Sequence, residues 1–269
     1  MIIENQNYIN HLGLHFDMVT VKGVVQFLDG VLDQEAVKDS ALNGLQVEAS
    51  SEVKKIAFAV DACQEIFEKA KKEKCDFLIA HHGIIWGNNW YSITGVMKDR
   101  VAFLLKNNLS LYAAHLPLDL HPKYGNNAEL ARLLDLQNLE LFGEYRGADV
   151  GFRGRLEKKL SVSEFKKKVE LLLGIDAQLL SFGKEVVQDI AVVSGSGACA
   201  LSEAIDKNVD LLLVGEFSHV HYHLAKEGGI NLLAGGHYAT ETLGVKALMP
   251  LLKEQFKVEV VFLDAETGL

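Results

Sequence analysis

The chain has 269 residues, of which 49% are hydrophobic and 23% are charged. These fractions exclude a disordered or fibrous chain and are sufficient for a large buried core. The formal net charge of −9 argues against non-specific binding to nucleic acid or to an anionic membrane. No apolar run approaches the roughly 18–20 residues that a membrane span requires. We therefore expect neither nucleic acid nor a membrane as a partner.

The cysteines and the N-terminal residues indicate where the protein works. Cys63, Cys75 and Cys199 form no CxxC pair, which is typical of reduced thiols in a reducing compartment. The first residues carry no apolar signal core, so we expect a cytoplasmic protein. Regular patterning begins only at Met18. Residues 1–17 are therefore interpreted as an N-terminal extension or a cloning remnant.

From Met18 onward, short apolar runs alternate with amphipathic ones. In the first half of the chain, strands are predicted at 55–60, 77–80 and 109–114, with helices at 62–73 and 99–107. These strands are continuously apolar rather than alternating. That pattern is typical of a parallel sheet that helices cover on both faces.

After a polar stretch with several glycines at 143–154, the same rhythm returns. Strands are predicted at 190–193, 211–214, 230–234 and 258–262, and helices at 199–207, 219–227 and 240–254. The strand spacing in the second half matches that in the first. The sequence therefore predicts two related α/β lobes, 18–145 and 146–269, with mainly parallel sheets covered by helices and a site between the lobes.

Histidines follow three of the predicted strands at their carboxyl ends, where ligands gather in open parallel sheets. They are His81, His82, His115 and His237. A lone histidine at a strand end is usually a hydrogen-bonded structural residue, but four of them favour one shared site. Neighbours in a regular strand point to opposite faces. We therefore expect His81 and His82 to converge in a turn that Gly83 permits.

Two of these histidines have a carboxylate four residues further on, Asp119 after His115 and Glu241 after His237. Residues at i and i+4 share one face of a helical turn, so both can reach one metal ion. The second pair opens a predicted helix, whereas 116–118 is not expected to be regular helix. Without a cysteine, a closed structural zinc site is disfavoured. Imidazole and carboxylate ligands suit Zn, Fe, Mn, Co or Ni, and five or six of them suit two ions.

Four motifs of the sequence occur together and in a characteristic order. They are Asn43-Gly44-Leu45-Gln46-Val47, His81-His82-Gly83 with Trp86, His115-Leu116-Pro117-Leu118-Asp119 followed by Asn126-Asn127, and Gly236-His237-Tyr238-Ala239-Thr240-Glu241. Together they resemble the Nif-three-like dinuclear metal-centre family, whose members are often called GTP cyclohydrolase 1 type 2 homologues. The resemblance extends over about residues 18–269.

This resemblance implies two α/β lobes, two divalent ions per chain and a ring-shaped homohexamer with metal sites that face an internal cavity. The ligands implied by the motifs are His81, His82, Asp119, His237 and Glu241. His115 is expected at the edge of the site, as an orienting residue or an alternating ligand. Asn43 and Gln46 are expected to line the cavity, and a turn at a helix end is the equally weighted alternative.

Two further carboxylates follow predicted strands. Glu216 aligns with His82 in the match between the two halves, and it is the predicted general base. Asp61 ends the first strand and is predicted to orient a metal ligand.

Two classes of function fit these residues. The first is a metal-dependent hydrolase acting on a nucleotide or another phosphate-bearing small molecule, because two cations neutralise an anionic substrate and activate water. GTP ring opening and phosphoester hydrolysis are two forms of it. The second is a non-catalytic metal-binding or metal-handling protein, or a scaffold whose ions hold an assembly together. The sequence has no P-loop motif, and both classes stay open.

Overall fold

The apolar runs of the sequence become the central strands of two sheets. The computed structural model describes residues 18–34, 37–87 and 92–269, so the predicted extension at 1–17 lies outside the described residues. The helices are α1 (Val21–Leu32), α2 (Gln64–Lys72), α3 (Gly95–Lys106), α4 (Leu116–Asp119), α5 (Asn126–Leu133), α6 (Val162–Leu173), α7 (Leu201–Asp206), α8 (Val220–Gly228) and α9 (His237–Phe256). The strands are β1 (Gly44–Val47), β2 (Lys55–Asp61), β3 (Phe77–His82), β4 (Ser110–Ala113), β5 (Gln137–Tyr145), β6 (Ala148–Ser161), β7 (Gln178–Ser181), β8 (Val186–Val193), β9 (Leu211–Val214), β10 (Asn231–Ala234) and β11 (Glu259–Phe262). Within the described ranges, no helix is long and apolar enough to cross a membrane.

The first sheet has the strand order β1-β4-β3-β2-β11. Its four strands from β4 to β11 are parallel, and β1 pairs antiparallel with β4 at one edge. On one face Phe58 and Tyr112 pack in a cluster with residues of α1 and α9, and on the other Leu78 packs with residues of α2 and α3. Burial on both faces explains why these strands are apolar at nearly every position.

The second sheet has the order β5-β6-β8-β9-β10-β7. Strands β8, β9 and β10 are parallel, while the pairs β5–β6, β6–β8 and β10–β7 are antiparallel. Helices α5 and α6 contribute to the cluster on one face, and α7 and α8 to that on the other. The predicted mixed α/β class with two helix-covered sheets is confirmed. The second sheet is less parallel than expected because 143–154 lies in a hairpin, whose Arg146-Gly147 turn has two positive φ angles.

The two halves of the chain repeat one unit. Strands β2-β3-β4 and β8-β9-β10 form parallel triplets with the same spatial order. The strands of the two sheets nevertheless do not separate at the predicted lobe boundary between residues 145 and 146. β5 belongs to the second sheet, and β11 pairs with β2 in the first. The cause is α9, which starts beside the second sheet and packs Val245 and Leu248 into the core of the first.

The segment that links β4 to α5 is more regular than expected. Residues 116–118 are not expected to be regular helix, and this prediction is wrong, because they form α4. Proline is tolerated there because the first turn of a helix has no intrahelical acceptor for its N–H groups. The Asp119 N–H donates to the His115 carbonyl at 3.2 Å. His115 and Asp119 therefore lie one helical turn apart.

Asn126 and Asn127, the first residues of α5, join the halves of the protein. The Asn126 Oδ1 accepts a hydrogen bond from the Gly244 N–H of α9 at 2.6 Å. The Asn127 Nδ2 donates to the Val150 carbonyl at 2.7 Å, and its Oδ1 accepts from the Ser194 N–H at 2.6 Å. Both side chains are buried. Their side chains satisfy the hydrogen bonds of buried backbone groups.

Replacing Asn127 with alanine tests this connection. We expect Asn127→Ala to lower the free energy of unfolding in urea by about 2–4 kcal/mol, because a buried N–H and a buried carbonyl both lose their partner. The matched control is Asn107→Ala, since Asn107 makes one hydrogen bond at 2.7 Å within its own helix end. Equal effects of the two substitutions would contradict a special role for Asn127.

Candidate metal centre

His81 and His82 are the last two residues of β3, at the carboxyl end of the first sheet. The His81 Nδ1 donates to the Ala114 carbonyl at 2.7 Å, and the His82 Nδ1 donates to the Asp61 carboxylate at 2.9 Å. The two ring centroids are 4.7 Å apart. The prediction that the pair converges in a turn is wrong. The rings converge at the end of the strand because a separate acceptor holds each one.

His115 and His237 occupy matching positions in the two halves. His115 directly precedes α4, and His237 is the first residue of α9. The His115 Nδ1 lies 2.9 Å from both oxygens of Asp39, and the His237 Nδ1 lies 3.0 Å from Glu216 Oε1. A carboxylate accepts, so each Nδ1 donates. All four histidines thus have an anchored Nδ1, which leaves each Nε2 available to the site.

Glu241 lies between the histidines of the two sheets. Its side chain is one turn into α9 and is buried. Oε1 is 3.6 Å from the His81 Nε2, whereas Oε2 is 3.2 Å from the His82 Nε2 and 3.1 Å from the His237 Nε2. The two oxygens of one carboxylate therefore face different histidines.

Asp119 completes the cluster beside His81. Its Oδ2 is 3.6 Å from the His81 Nε2, and its Oδ1 accepts a hydrogen bond from Asn126 at 2.8 Å. Two overlapping groups have donor atoms that all lie within 4.8 Å of one another. They are His81, His82 and His115, and His82, His237 and Glu241. The five ligands implied by the motifs, together with His115, thus form one continuous set of donors.

The charges in this cluster are strongly coupled. Burial alone would lower the pKa of His81, but Asp119 and Glu241 outweigh it and raise the pKa to about 10. The adjacent Glu241 carboxylate raises the pKa of His237 to about 9. Burial would raise the pKa of Glu241, yet His81 and His237 hold it below its ordinary value. The carboxylates therefore stabilise positive charge here, on an imidazole or on a bound ion.

The residues present fit a divalent metal. In the part of the chain that the structure describes, His81 Nε2 and Glu241 Oε2 are buried and have no hydrogen-bond partner. An unsatisfied buried polar atom costs about 1–3 kcal/mol, which makes this arrangement unfavourable without a further ligand. Imidazole nitrogens and carboxylate oxygens without thiolates are the donors of metal sites with open positions.

A cavity of about 800 Å³ opens onto the cluster. The candidate site residues on its wall are Asp61, His82, His115, Asp119, His237 and Glu241. The Trp86 indole also lines it and lies edge-on to the His115 ring, with centroids 5.1 Å apart. A cavity of this size accommodates a molecule as large as a nucleotide.

Asn43 and Gln46 are absent from the residues that line the cavity, contrary to expectation. The Asn43 Oδ1 accepts a hydrogen bond from the His115 N–H at 2.7 Å, and its Nδ2 donates to Asp39 at 2.8 Å. The Gln46 Oε1 accepts from two backbone N–H groups of the loop after β3, at 2.7 and 3.1 Å. Both residues position the segments that carry the histidines, because their polar atoms are engaged there.

The carboxylates behind the histidines have distinct partners. Asp61 ends β2 and accepts a hydrogen bond from His82. Glu216, the predicted general base, accepts hydrogen bonds from Ser196 at 2.7 Å and from His237. These two bonds lower the pKa of Glu216, which makes it a poor proton acceptor and favours an orienting role. Sequence analysis missed Asp39, which is 76 residues from His115 and follows no predicted strand.

A glycine beside Glu241 is required by the same geometry. A Cβ atom on Gly195 would overlap with Glu241 Oε1, and its φ of +59° also disfavours a side chain. The Gly195 N–H donates to Thr240 Oγ1 at 3.1 Å. The turn after β8 thereby brings backbone against the carboxylate.

The fold and this cluster define a two-lobed α/β protein with a candidate metal centre where its sheets meet. The family model described as Duf34/NIF3 (NGG1p interacting factor 3) matches residues 19–268. The chain belongs to this family, and the resemblance inferred from the four motifs is confirmed.

Similar proteins agree over nearly the whole chain. A relative from Archaeoglobus fulgidus, named GTP cyclohydrolase 1 type 2 homolog, is 51% identical, covering 91% of this chain and 98% of the relative. A relative of the same name from Pyrococcus abyssi is 45% identical with the same coverage. The solved structure of TTHA1606 from Thermus thermophilus has a TM-score of 0.83 at 39% identity, covering 93% of this chain and 100% of that one. The solved structure of the protein ybgI has a TM-score of 0.88 at 34% identity, with the same coverage.

Removing the Asp61 carboxylate tests whether the anchored histidines prepare a metal site. We expect Asp61→Ala to weaken zinc binding about 10- to 100-fold, because the His82 ring loses the acceptor that orients it. Competition with a chromogenic chelator measures the affinity. The control is Glu65→Ala, which removes a charge from the same cavity wall but frees only Lys69, its partner at 2.6 Å. Equal weakening by both variants would point to bulk charge instead of orientation.

Proposed function

We propose that the protein is a metal-dependent hydrolase that acts on a nucleotide or another phosphate-bearing small molecule. The observation that carries this proposal is the position of Glu241, whose two oxygens face separate histidines beside a cavity of about 800 Å³. Bridging carboxylates of this kind belong to two-metal hydrolytic sites. The name GTP cyclohydrolase 1 type 2 homolog, which relatives carry, supports GTP ring opening as one form, and phosphoester hydrolysis is the other.

Two divalent ions per chain are part of the proposal. His81, Asp119 and Glu241 Oε1 would hold one ion, and His82, His237 and Glu241 Oε2 the other. This division follows the pairs of atoms that lie 3.1–3.6 Å apart. Zn, Fe, Mn, Co and Ni suit the donors. When bound, such ions supply Lewis-acid activation of water and of a phosphoryl or ring-carbon electrophile.

The protein's own residues orient the donors and move protons. The four Nδ1 hydrogen bonds prevent the rings from rotating, so Nε2 stays aimed at the site. His115 lies on the cavity wall with its Nδ1 on Asp39. An imidazole supported by a carboxylate takes up and releases a proton at its other nitrogen. We therefore assign His115 the acid–base role that the sequence had suggested for Glu216.

The quaternary structure and location belong to the same proposal. A homohexameric ring is supported by Leu139 and Leu141, which are 44% and 60% exposed on the edge strand β5, because an exposed apolar edge calls for cover. A cytoplasmic location is supported by three free cysteines in the described residues, Cys63, Cys75 and Cys199.

Metal content is the first test. In protein purified without chelator, we expect about two equivalents of transition metal per chain by plasma mass spectrometry. Glu241→Ala should reduce this to less than about one equivalent, because both groups lose a donor. Glu65→Ala, from the same cavity wall, should retain the wild-type content. A wild-type content well below one equivalent, even after reloading with Zn, Mn or Fe, would overturn the metal site.

Activity separates the hydrolase from a non-catalytic metal protein. We expect the metal-loaded protein to hydrolyse GTP or a phosphoester in a panel of nucleotides and phosphoesters. Glu241→Ala should reduce the rate to background while sedimentation velocity shows an unchanged assembly. If the wild type is inert across the panel and Glu241→Ala only dissociates the assembly, the protein is a scaffold whose ions hold it together.

A further inference from the structure

Arg100 lies on the wall of the cavity at the candidate metal centre, and its Nε has no hydrogen-bond partner within the described residues. It lies in α3 and lines the same cavity as His82, His115 and Glu241. This nitrogen is buried. A buried N–H group of a guanidinium normally has a hydrogen-bond partner, because leaving it unsatisfied is unfavourable. The position of Arg100 therefore calls for a partner from outside the chain.

The helix places Arg100 on its inward side. Leu104, one turn further along α3, is completely buried in the core beneath the first sheet. Residues at i and i+4 share a helix face, so the chain directs a cation inward where an apolar residue would pack. Lys98, two residues earlier, is 63% exposed and pairs with Asp99 at 3.3 Å. On the same helix, Lys98 therefore extends into solvent, whereas Arg100 lines the cavity.

Within the described residues, no ion pair joins Arg100 to an acidic residue of the cavity wall, and several of those carboxylates have partners of their own. Asp61 accepts a hydrogen bond from His82, Glu65 pairs with Lys69, and Asp119 accepts from Asn126. Arg100 is the single lysine or arginine among the described residues that line this cavity. A ligand that enters would meet the metal donors on one part of the wall and this guanidinium on another.

From this arrangement we infer that Arg100 binds a phosphate group of the substrate at a distance from the bond that is hydrolysed. A guanidinium offers parallel N–H donors that match the oxygens of a phosphate, and the match is stronger in a partly desolvated cavity. Arg100 is then a specificity-determining residue that selects substrates carrying a phosphate beyond the reacting group. The inference rests on the proposed function, since the phosphate is assigned to that substrate.

The test measures phosphate binding directly. Inorganic phosphate and guanosine 5′-monophosphate are titrated by calorimetry into the full chain as purified, and again after chelator treatment, with guanosine as the uncharged control. We expect Arg100→Gln to weaken binding of both phosphates about 10- to 100-fold, the effect of losing hydrogen bonds to a charged group. Arg100→Lys should recover part of the affinity, because it restores the charge without the planar donors.

Two controls separate this role from a structural one. Lys98→Gln removes one positive charge from the same helix outside the cavity, and it should change phosphate affinity less than about twofold. Arg100→Gln should leave metal content unchanged and should not lower the urea midpoint, because the buried Nε has no partner to lose within the described part of the chain. Unchanged phosphate affinity in Arg100→Gln, or equal weakening by Lys98→Gln, would overturn the inference.

The proposed function can fail independently of this site. If the wild type hydrolyses nothing but still binds phosphate through Arg100 after chelation, the anion site stands and the hydrolase does not. If malonate binds in an Arg100-dependent way and phosphate does not, the inference of a phosphate is wrong.

Discussion

The buried carboxylate of Glu241 is the constraint on which the rest of the site depends. A negative charge that is 4% exposed is stable only if cations surround it. The first sheet supplies His81 and His82 at the end of a central strand, and α9 supplies His237 one turn before the carboxylate. The carboxyl end of β3 in the first sheet and the start of α9 beside the second sheet must therefore lie next to each other. The asparagines of α5, the turn at Gly195 and the path of α9 all serve that alignment.

The repeated unit of the two halves explains how so many donors reach one point. Each half has three parallel strands in the same order, followed by a helix that begins at a histidine or directly after one. The residues at matching positions of the two halves have different roles. His82 ends β3, whereas Glu216, after the matching strand β9, supports His237 from behind. One half thus provides most of the imidazoles, and the other contributes a carboxylate that bridges them and a second carboxylate that orients one of them.

Much of this arrangement can be predicted from the sequence, because a buried parallel strand is visible as a short apolar run and its carboxyl end is where ligands collect. His81, His82, His115 and His237 follow from that rule. Other features depend on contacts that no local pattern records. Asp39 meets His115 across 76 residues, and β11 joins the first sheet only because α9 crosses between the sheets. Hydrogen bonds to Asn43 and Gln46 similarly come from distant backbone, so their motif identifies them without revealing their role.

The return of β11 to the first sheet has a consequence for the order in which the protein folds. During synthesis, β2 emerges long before its neighbour β11, so the first sheet keeps an open edge until β11 has been made. Chains with separate lobes usually fold domain by domain from the N-terminus. In this topology the first sheet cannot be completed before the second, because it includes β11. The helix that carries His237 and Glu241 emerges just ahead of β11. A nascent chain that lacks α9 therefore has three of the four histidines but no complete centre, and the proposed ions can meet the full set of donors only after α9 has been made.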